Sequence, residues 1–250
     1  MSGHSKWHSI KHKKGAADAK RGKIFTVHAK LITIAAREGG GDPDMNPSLR
    51  TAIDNAKTAN VPNANIERAV KRGTGADKDG IEISEVMYEG YGPAGTALYI
   101  QAVTDNKNRT VASVKSILSK NGGNMGGAGS VAYLFHQKGL ILIKAEAAKH
   151  EDLELTAIDS GAEDIKIEGD TAEVYTNSKD LHNVKKKMEE GGFEIESAEI
   201  AFIPENEVKI EEEDKAKKVL KLMEALEDDE DVTNVFSNFD IPEELLEKLG

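Results

Sequence analysis

Cysteine is absent from this 250-residue chain, which excludes disulfides, thiolate catalysis and cysteine-based zinc sites. Long apolar runs are missing as well. The longest, Gly139-Leu140-Ile141-Leu142-Ile143, falls far short of the roughly 20 residues a membrane helix needs and reads as one buried strand. No apolar stretch of the signal-peptide kind follows Met1, and no leader of the transit-peptide kind precedes the patterned sequence. A soluble, cytoplasmic protein is expected. Catalytic signatures are equally scarce: there is no Ser-His-Asp order, no HExxH motif and no carboxylate pair in a recognisable setting. The expectation is a protein that is not an enzyme and has no cofactor.

Charge is present in abundance, and it is segregated. The formal net charge is −11, yet residues 1–72 hold 14 Lys/Arg against 6 Asp/Glu, while the remaining 178 residues hold 19 against 38. Four of the seven histidines also fall in the basic part. Such asymmetry points to a polyanionic partner. Residues 1–15 form a basic arm without a core-forming pattern, expected to order only on that partner. Lys6, Lys11, Lys13 and Lys14 suit phosphates, Trp7 (the only tryptophan) suits stacking on an unpaired base, and His8 and His12 add hydrogen-bonding groups. Lys20, Arg21, Lys23, Arg50, Lys57, Arg68, Lys71 and Arg72 continue the positive field along the helices that follow, and all of these residues are candidate nucleic-acid contacts. His4, His8 and His12 recur every four residues, as a metal-binding helix face would require, but the segment offers no fourth ligand, so no metal is expected.

The periodicity organises the rest. Apolar residues at Ile24, Val27, Leu31 and Ile34 predict a helix over 16–38 that Gly39-Gly40-Gly41 ends. Asn46 and Pro47 are the N-cap and first residue of a second helix, and a third, after Asn63, carries Ile66, Ala69 and Val70 and is capped by Gly73. A basic three-helix domain over 16–75 follows. Between its second and third helices the turn Thr58 to Asn63 is longer than a helix-turn-helix prefers. Beyond the linker around 73–80, strands at 86–88, 96–103 and 131–135 accompany a helix with Val111, Val114, Ile117 and Leu118. Residues 137–204 read βαββαβ, with helix residues Leu153, Ala157 and Ile158 inward and a Gly169-Asp170 hairpin. The last strands and helix need residues 81–136 to bury a core. The fold class is therefore α+β multidomain, with a three-helix domain and two α/β sandwiches. One sandwich (81–136 plus 205–240) is interrupted by the other, a ferredoxin-like insert at 137–204, and a short helix closes the chain at 241–250.

Three further segments carry bland readings. The glycine-rich loop 122–129 lacks the lysine and hydroxyl of a phosphate-binding loop and reads as a tight connection. Residues 104–110 read as a strand-to-helix turn, and the acidic runs 211–214 and 227–231 as solvated faces. An RNA-recognition-motif reading of the insert fails because its strands have no interleaved aromatic pair and the unit is acidic.

Four motifs, SGHSKWHSIKHKKGAADAKRGKIF, GGGDPDMNPSLRTAI, VPNANIERAVKRGTG and GGNMGGAGSVAYLF followed by KG, stand in collinear order over nearly the whole chain and together resemble the YebC/PmpR family. The resemblance implies a three-domain fold, one helical and two α/β, and a DNA-binding transcriptional regulator. It also implies an alternative, because a mitochondrial relative is a translational activator and bacterial members are linked to ribosomes. A ribosome-associated factor on ribosomal RNA is that second reading.

Overall fold

Helix α1 (Asp18–Gly39) opens the computed structural model, which describes residues 18–75, 83–145 and 149–249. It is apolar on two sides. Ile32, Ala35 and Ala36 face α2 (Pro47–Thr58) and α3 (Asn63–Gly73), where they meet Leu49, Ala56, Ile66 and Ala69. Leu31 and Ile34 face away from those helices and pack with Ile83 and Val103. Ile24, expected inward, is at the surface. It shares the second face with Leu31 but lies one heptad earlier, ahead of the point where that face is covered.

Asn46 caps α2 as expected: its carbonyl oxygen accepts from the Leu49 amide at 3.0 Å, and its NH2 group donates to the Ala35 and Gly40 carbonyls at 2.8 Å. Gly73 proves to be the last helical residue of α3 rather than its cap. A Cβ there would lie 2.4 Å from the Thr33 carbonyl oxygen and 2.7 Å from Ala36 Cβ, so glycine is what lets α3 press against α1. The left-handed conformation falls two residues later, at Gly75.

The chain then runs through β1 (Ser84–Tyr91), β2 (Ala97–Thr104), α4 (Lys107–Lys120), β3 (Asn124–Met125) and β4 (Phe135–Lys144). It continues through α5 (His150–Ser160), β5 (Asp164–Glu168), β6 (Thr171–Thr176), α6 (Leu181–Glu190) and β7 (Ile195–Pro204). It ends with β8 (Val208–Lys209), α7 (Glu213–Glu227), β9 (Val232–Ser237), β10 (Phe239–Asp240) and α8 (Glu243–Leu249). One antiparallel sheet has the order β3-β1-β2-β9, so the chain returns to it after a long excursion. The excursion is the second antiparallel sheet, β5-β6-β4-β7, with α5 and α6 on one face: the ferredoxin-like arrangement inserted in the first unit.

Strand alternation divides each sheet between two cores. In β2, Leu98 and Ile100 enter the core under α4 and α7, while Ala97 and Tyr99 point the other way. In the insert, Ile141 and Ile143 meet α5 and α6, while Leu140 and Leu142 leave by the opposite face. The two opposite faces meet each other. Tyr99 stacks on Phe135 with centroids 5.7 Å apart and meets Phe202 edge-on at 4.9 Å, and Phe202 in turn packs on Phe236 at 5.3 Å. The sheet face that an RNA-recognition motif leaves open is occupied here by the neighbouring sheet.

Two local expectations change. Residues 131–135 are not a strand: Ala132–Leu134 form a 3-10 turn, and the strand begins at Phe135 and runs on to Lys144. Ile158, expected inside, is 65% exposed, because α5 buries only Leu153, Ala157 and Ser160.

Candidate nucleic-acid interface

The cations of the helical region divide into two sets. The first set is engaged within the protein. Lys30 of α1 donates to the Val103 and Glu230 carbonyls at 2.9 and 3.0 Å and pairs with Asp231 at 2.9 Å. Arg37 donates to the Ile83 carbonyl. Arg50 donates to the Pro43 and Asp44 carbonyls and, at 3.0 Å, to His182 Nε2 on α6. Arg50 was a candidate phosphate contact, yet its guanidinium is engaged at three points within the protein. Beside it, Asn55 donates to the Ala198 carbonyl of β7 at 2.8 Å, and Asp54 meets Lys185 at 3.3 Å. The three-helix region is thus fastened to the first sheet unit through α1 and to the insert through α2.

Asp231 anchors the first of these attachments. It is buried and also receives Arg109 Nη2 at 2.9 Å and Thr110 Oγ1 at 2.8 Å. Burial alone would raise its carboxyl, but hydrogen bonds from Lys30, Arg109 and Thr110 outweigh it and hold the group at about 2. Asp229 accepts from Ser113 Oγ and from the Asp231 amide. The acidic run 227–231 is therefore not merely a solvated face. Residues 104–110 do form the strand-to-helix turn, with Asn106 capping α4, but Arg109 and Thr110 also close this knot.

The second set faces out. Arg68, Lys71 and Arg72 stand three and four residues apart on α3 and so share one helix face, opposite the buried Ile66 and Ala69. Lys57 lies in the last turn of α2, before the four-residue turn Ala59–Pro62 that leads into α3. All four are exposed, and among the described residues no ion pair or side-chain hydrogen bond holds them. With Asp54 engaged by Lys185, Glu67 is the one acid of α2 and α3 without an ion pair among the described residues. Lysines and arginines in this state are available to phosphates. Lys20 and Arg21 fall in the first turn of α1, and Lys23, in the next turn, is half-buried. Lys6, Trp7, His8, Lys11, His12, Lys13 and Lys14 lie outside the described residues.

The glycine-rich loop has a different use. Its amides at Gly129, Val131 and Ala132 donate to the Glu89 carboxylate at 2.6, 2.7 and 2.8 Å, and Gly126 N donates to the Glu89 carbonyl. Burial acts to raise the Glu89 carboxyl, but these backbone donors hold it below the usual carboxylate range. The loop cradles an anion that belongs to the protein itself, and the same bonds turn residues 131–134 away from strand geometry. Among the described residues no group of three or more His, Asp or Glu side chains could hold a metal ion, and no helix is long and apolar enough to cross a membrane.

Residues 5–76 match the family model of the TACO1/YebC protein N-terminal domain, and residues 83–239 match that of the TACO1/YebC second and third domain. A protein from Halothermothrix orenii is 51% identical, with 100% of this chain and 99% of that protein aligned; one from Geobacter sp. (strain M21) is 53% identical over the full length of both. Both are named as a "Probable transcriptional regulatory protein". Among solved structures, the conserved hypothetical protein Aq1575 from Aquifex aeolicus superposes with a TM-score of 0.85 at 46% identity, covering 92% of this chain and 94% of that one.

Proposed function

The chain belongs to the TACO1/YebC family, and from that premise we propose that it is a regulator of gene expression that acts in the cytoplasm by binding nucleic acid. Its relatives' names speak of transcriptional regulation, and DNA is the partner such a role calls for. One observation carries the reading. Lys57, Arg68, Lys71 and Arg72 are exposed and unpaired among the described residues, while Lys30, Arg37 and Arg50 of the same helical region are engaged. The basic arm, with Lys6, Trp7, His8, Lys11, His12, Lys13 and Lys14, precedes α1 in sequence and extends the same field; Lys20, Arg21 and Lys23 continue it. The action is binding rather than catalysis, consistent with the structural duties of the buried carboxylates Glu89 and Asp231.

A second reading, a translation factor on ribosomal RNA, is favoured by the character of the outward set. Those side chains are suited to backbone and shape contacts, which specify no base sequence. Pull-down of the full chain from lysate, with DNase or RNase and with ribosome sedimentation, separates the two. Selection of a preferred duplex with DNase-sensitive capture supports the DNA reading. Ribosome association that survives DNase, with no duplex preferred, overturns it in favour of ribosomal RNA. Removing residues 1–15 is expected to weaken binding under either reading and to lower the salt slope by about 0.7–0.9 per lost phosphate contact. An unchanged affinity and slope would remove the arm from the interface.

A further inference from the structure

Helix α5 turns Leu153, Ala157 and Ser160 into the insert's core, but it also carries two large aliphatic side chains on its outer side. Leu155 and Ile158 are 62% and 65% exposed and, three residues apart, are neighbours on the helix surface. A single exposed aliphatic residue needs no explanation; two adjacent ones beside a concavity do. Leu155 forms one wall of a groove of roughly 470 Å³, whose other side is the turn after α6, Gly191-Gly192-Phe193; Thr156 and one cation, Lys149, also line it. The apolar pair is ringed by acids. Glu151, Asp152, Glu154 and Asp159 are all exposed on the same helix, Asp152 and Asp159 line the groove, and none of the four has an ion-pair partner among the described residues. Acids in the first turn suit the helix dipole, which accounts for Glu151 and Asp152, but Glu154 and Asp159 lie beyond that turn.

We propose that the outer face of α5 and this groove form a docking surface for another protein that presents a basic amphipathic helix. Leu155, Ile158 and Phe193 would take the helix's apolar residues, and the four carboxylates its lysines and arginines. Charge chooses the occupant: four exposed acids outnumber the single Lys149, so a nucleic acid is repelled, and an acidic or neutral helix would leave those acids without partners. The surface lies on the insert, whereas the outward cations Lys57, Arg68, Lys71 and Arg72 lie on α2 and α3, so the chain would hold nucleic acid and protein on different domains.

The test uses the full chain and a fluorescent synthetic helical peptide with leucines along one face and lysines and arginines along the other. Its control is a peptide of the same composition in scrambled order. The amphipathic peptide is expected to bind about tenfold or more tightly than the control, and Leu155→Ser with Ile158→Ser is expected to remove that advantage. Glu154→Gln with Asp159→Asn should keep the preference for the amphipathic order but weaken binding and flatten its salt dependence. Both pairs of changes are at exposed positions, and each variant's thermal unfolding is compared with that of the parent. Equal binding of the two peptides, or a Leu155→Ser/Ile158→Ser variant that binds like the parent, overturns the proposal. So does a parent chain that sediments as a dimer where that variant is a monomer, since the patch would then be covered by a second copy.

Discussion

Lys30 and Arg68 carry the same charge, sit in the same three-helix region and are separated by one helix-to-helix packing layer, yet they meet opposite fates. Lys30 is drawn into a buried knot with Asp231, Arg109 and Thr110 that fastens α1 to the first sheet unit. Arg68, with Lys71 and Arg72, remains in solvent with no ion pair among the described residues. A count of basic residues treats the two alike. The difference teaches that the positive charge of residues 1–72 does two jobs, assembly of the domains and display of a field, and that the jobs divide by helix face.

The comparison breaks most visibly at Asp231. Replacing it with alanine leaves the mostly buried Lys30 ammonium without its counter-charge and should lower stability by about 3 kcal/mol, read by urea denaturation. Nucleic-acid affinity of the molecules that remain folded should not change. Acid titration probes the same knot. The Asp231 carboxyl is held at about 2, below its usual 3.8, so its contribution is fully present above about pH 4 and is lost as pH falls through 2. Stability should therefore drop between pH 4 and 2 by about 2 kcal/mol, and an Asp231→Asn variant should lack that component.

A smaller effect is expected where α2 meets α6. His182 is held below its ordinary range by burial first, then by Arg50 and Lys185, and its Nε2 accepts a hydrogen bond from Arg50 that protonation would abolish. For a histidine with a depressed value, the stabilisation is complete above about pH 6.5 and declines as pH falls through the folded value. Denaturation of the parent at pH 7.5 and pH 5.5 should reveal this loss, and His182→Gln should reduce the dependence to the part contributed by His28, which burial lowers in the same direction. A parent whose stability is the same at both values contradicts the assignment of Arg50 to domain fastening.

Local chemistry made much of the fold legible. Asn46-Pro47 starts α2, Gly169-Asp170 turns the β5–β6 hairpin, and the order of apolar segments spells out βαββαβ. The residues that escaped are those whose partners are distant in sequence. Arg50 meets His182 across 132 positions and Lys30 meets Asp231 across 201, and no periodicity encodes such pairings. Residues 131–134 have the apolar character of a strand, but amides at 131 and 132 turn to the Glu89 carboxylate. Ile158 fits the helical stripe of α5, and only the placement of α6 and the sheet decides that it stays outside. In the candidate interface, sequence alone located the basic helices; the structure was needed to separate Arg50 from Arg68, Lys71 and Arg72.

The salt dependence of nucleic-acid binding tests that separation most directly. For the parent, for Lys57→Gln/Arg68→Gln/Lys71→Gln/Arg72→Gln and for Arg37→Gln, the logarithm of the binding constant is measured against the logarithm of salt concentration. The fourfold variant should keep its stability to within about 0.5 kcal/mol, while its slope falls by roughly 0.7–0.9 for each phosphate contact removed. Arg37→Gln, at an exposed cation engaged with the Ile83 carbonyl, should leave the slope unchanged. A fourfold variant with the parent's slope, or an Arg37→Gln variant that loses as much, would contradict the division of charge between assembly and display.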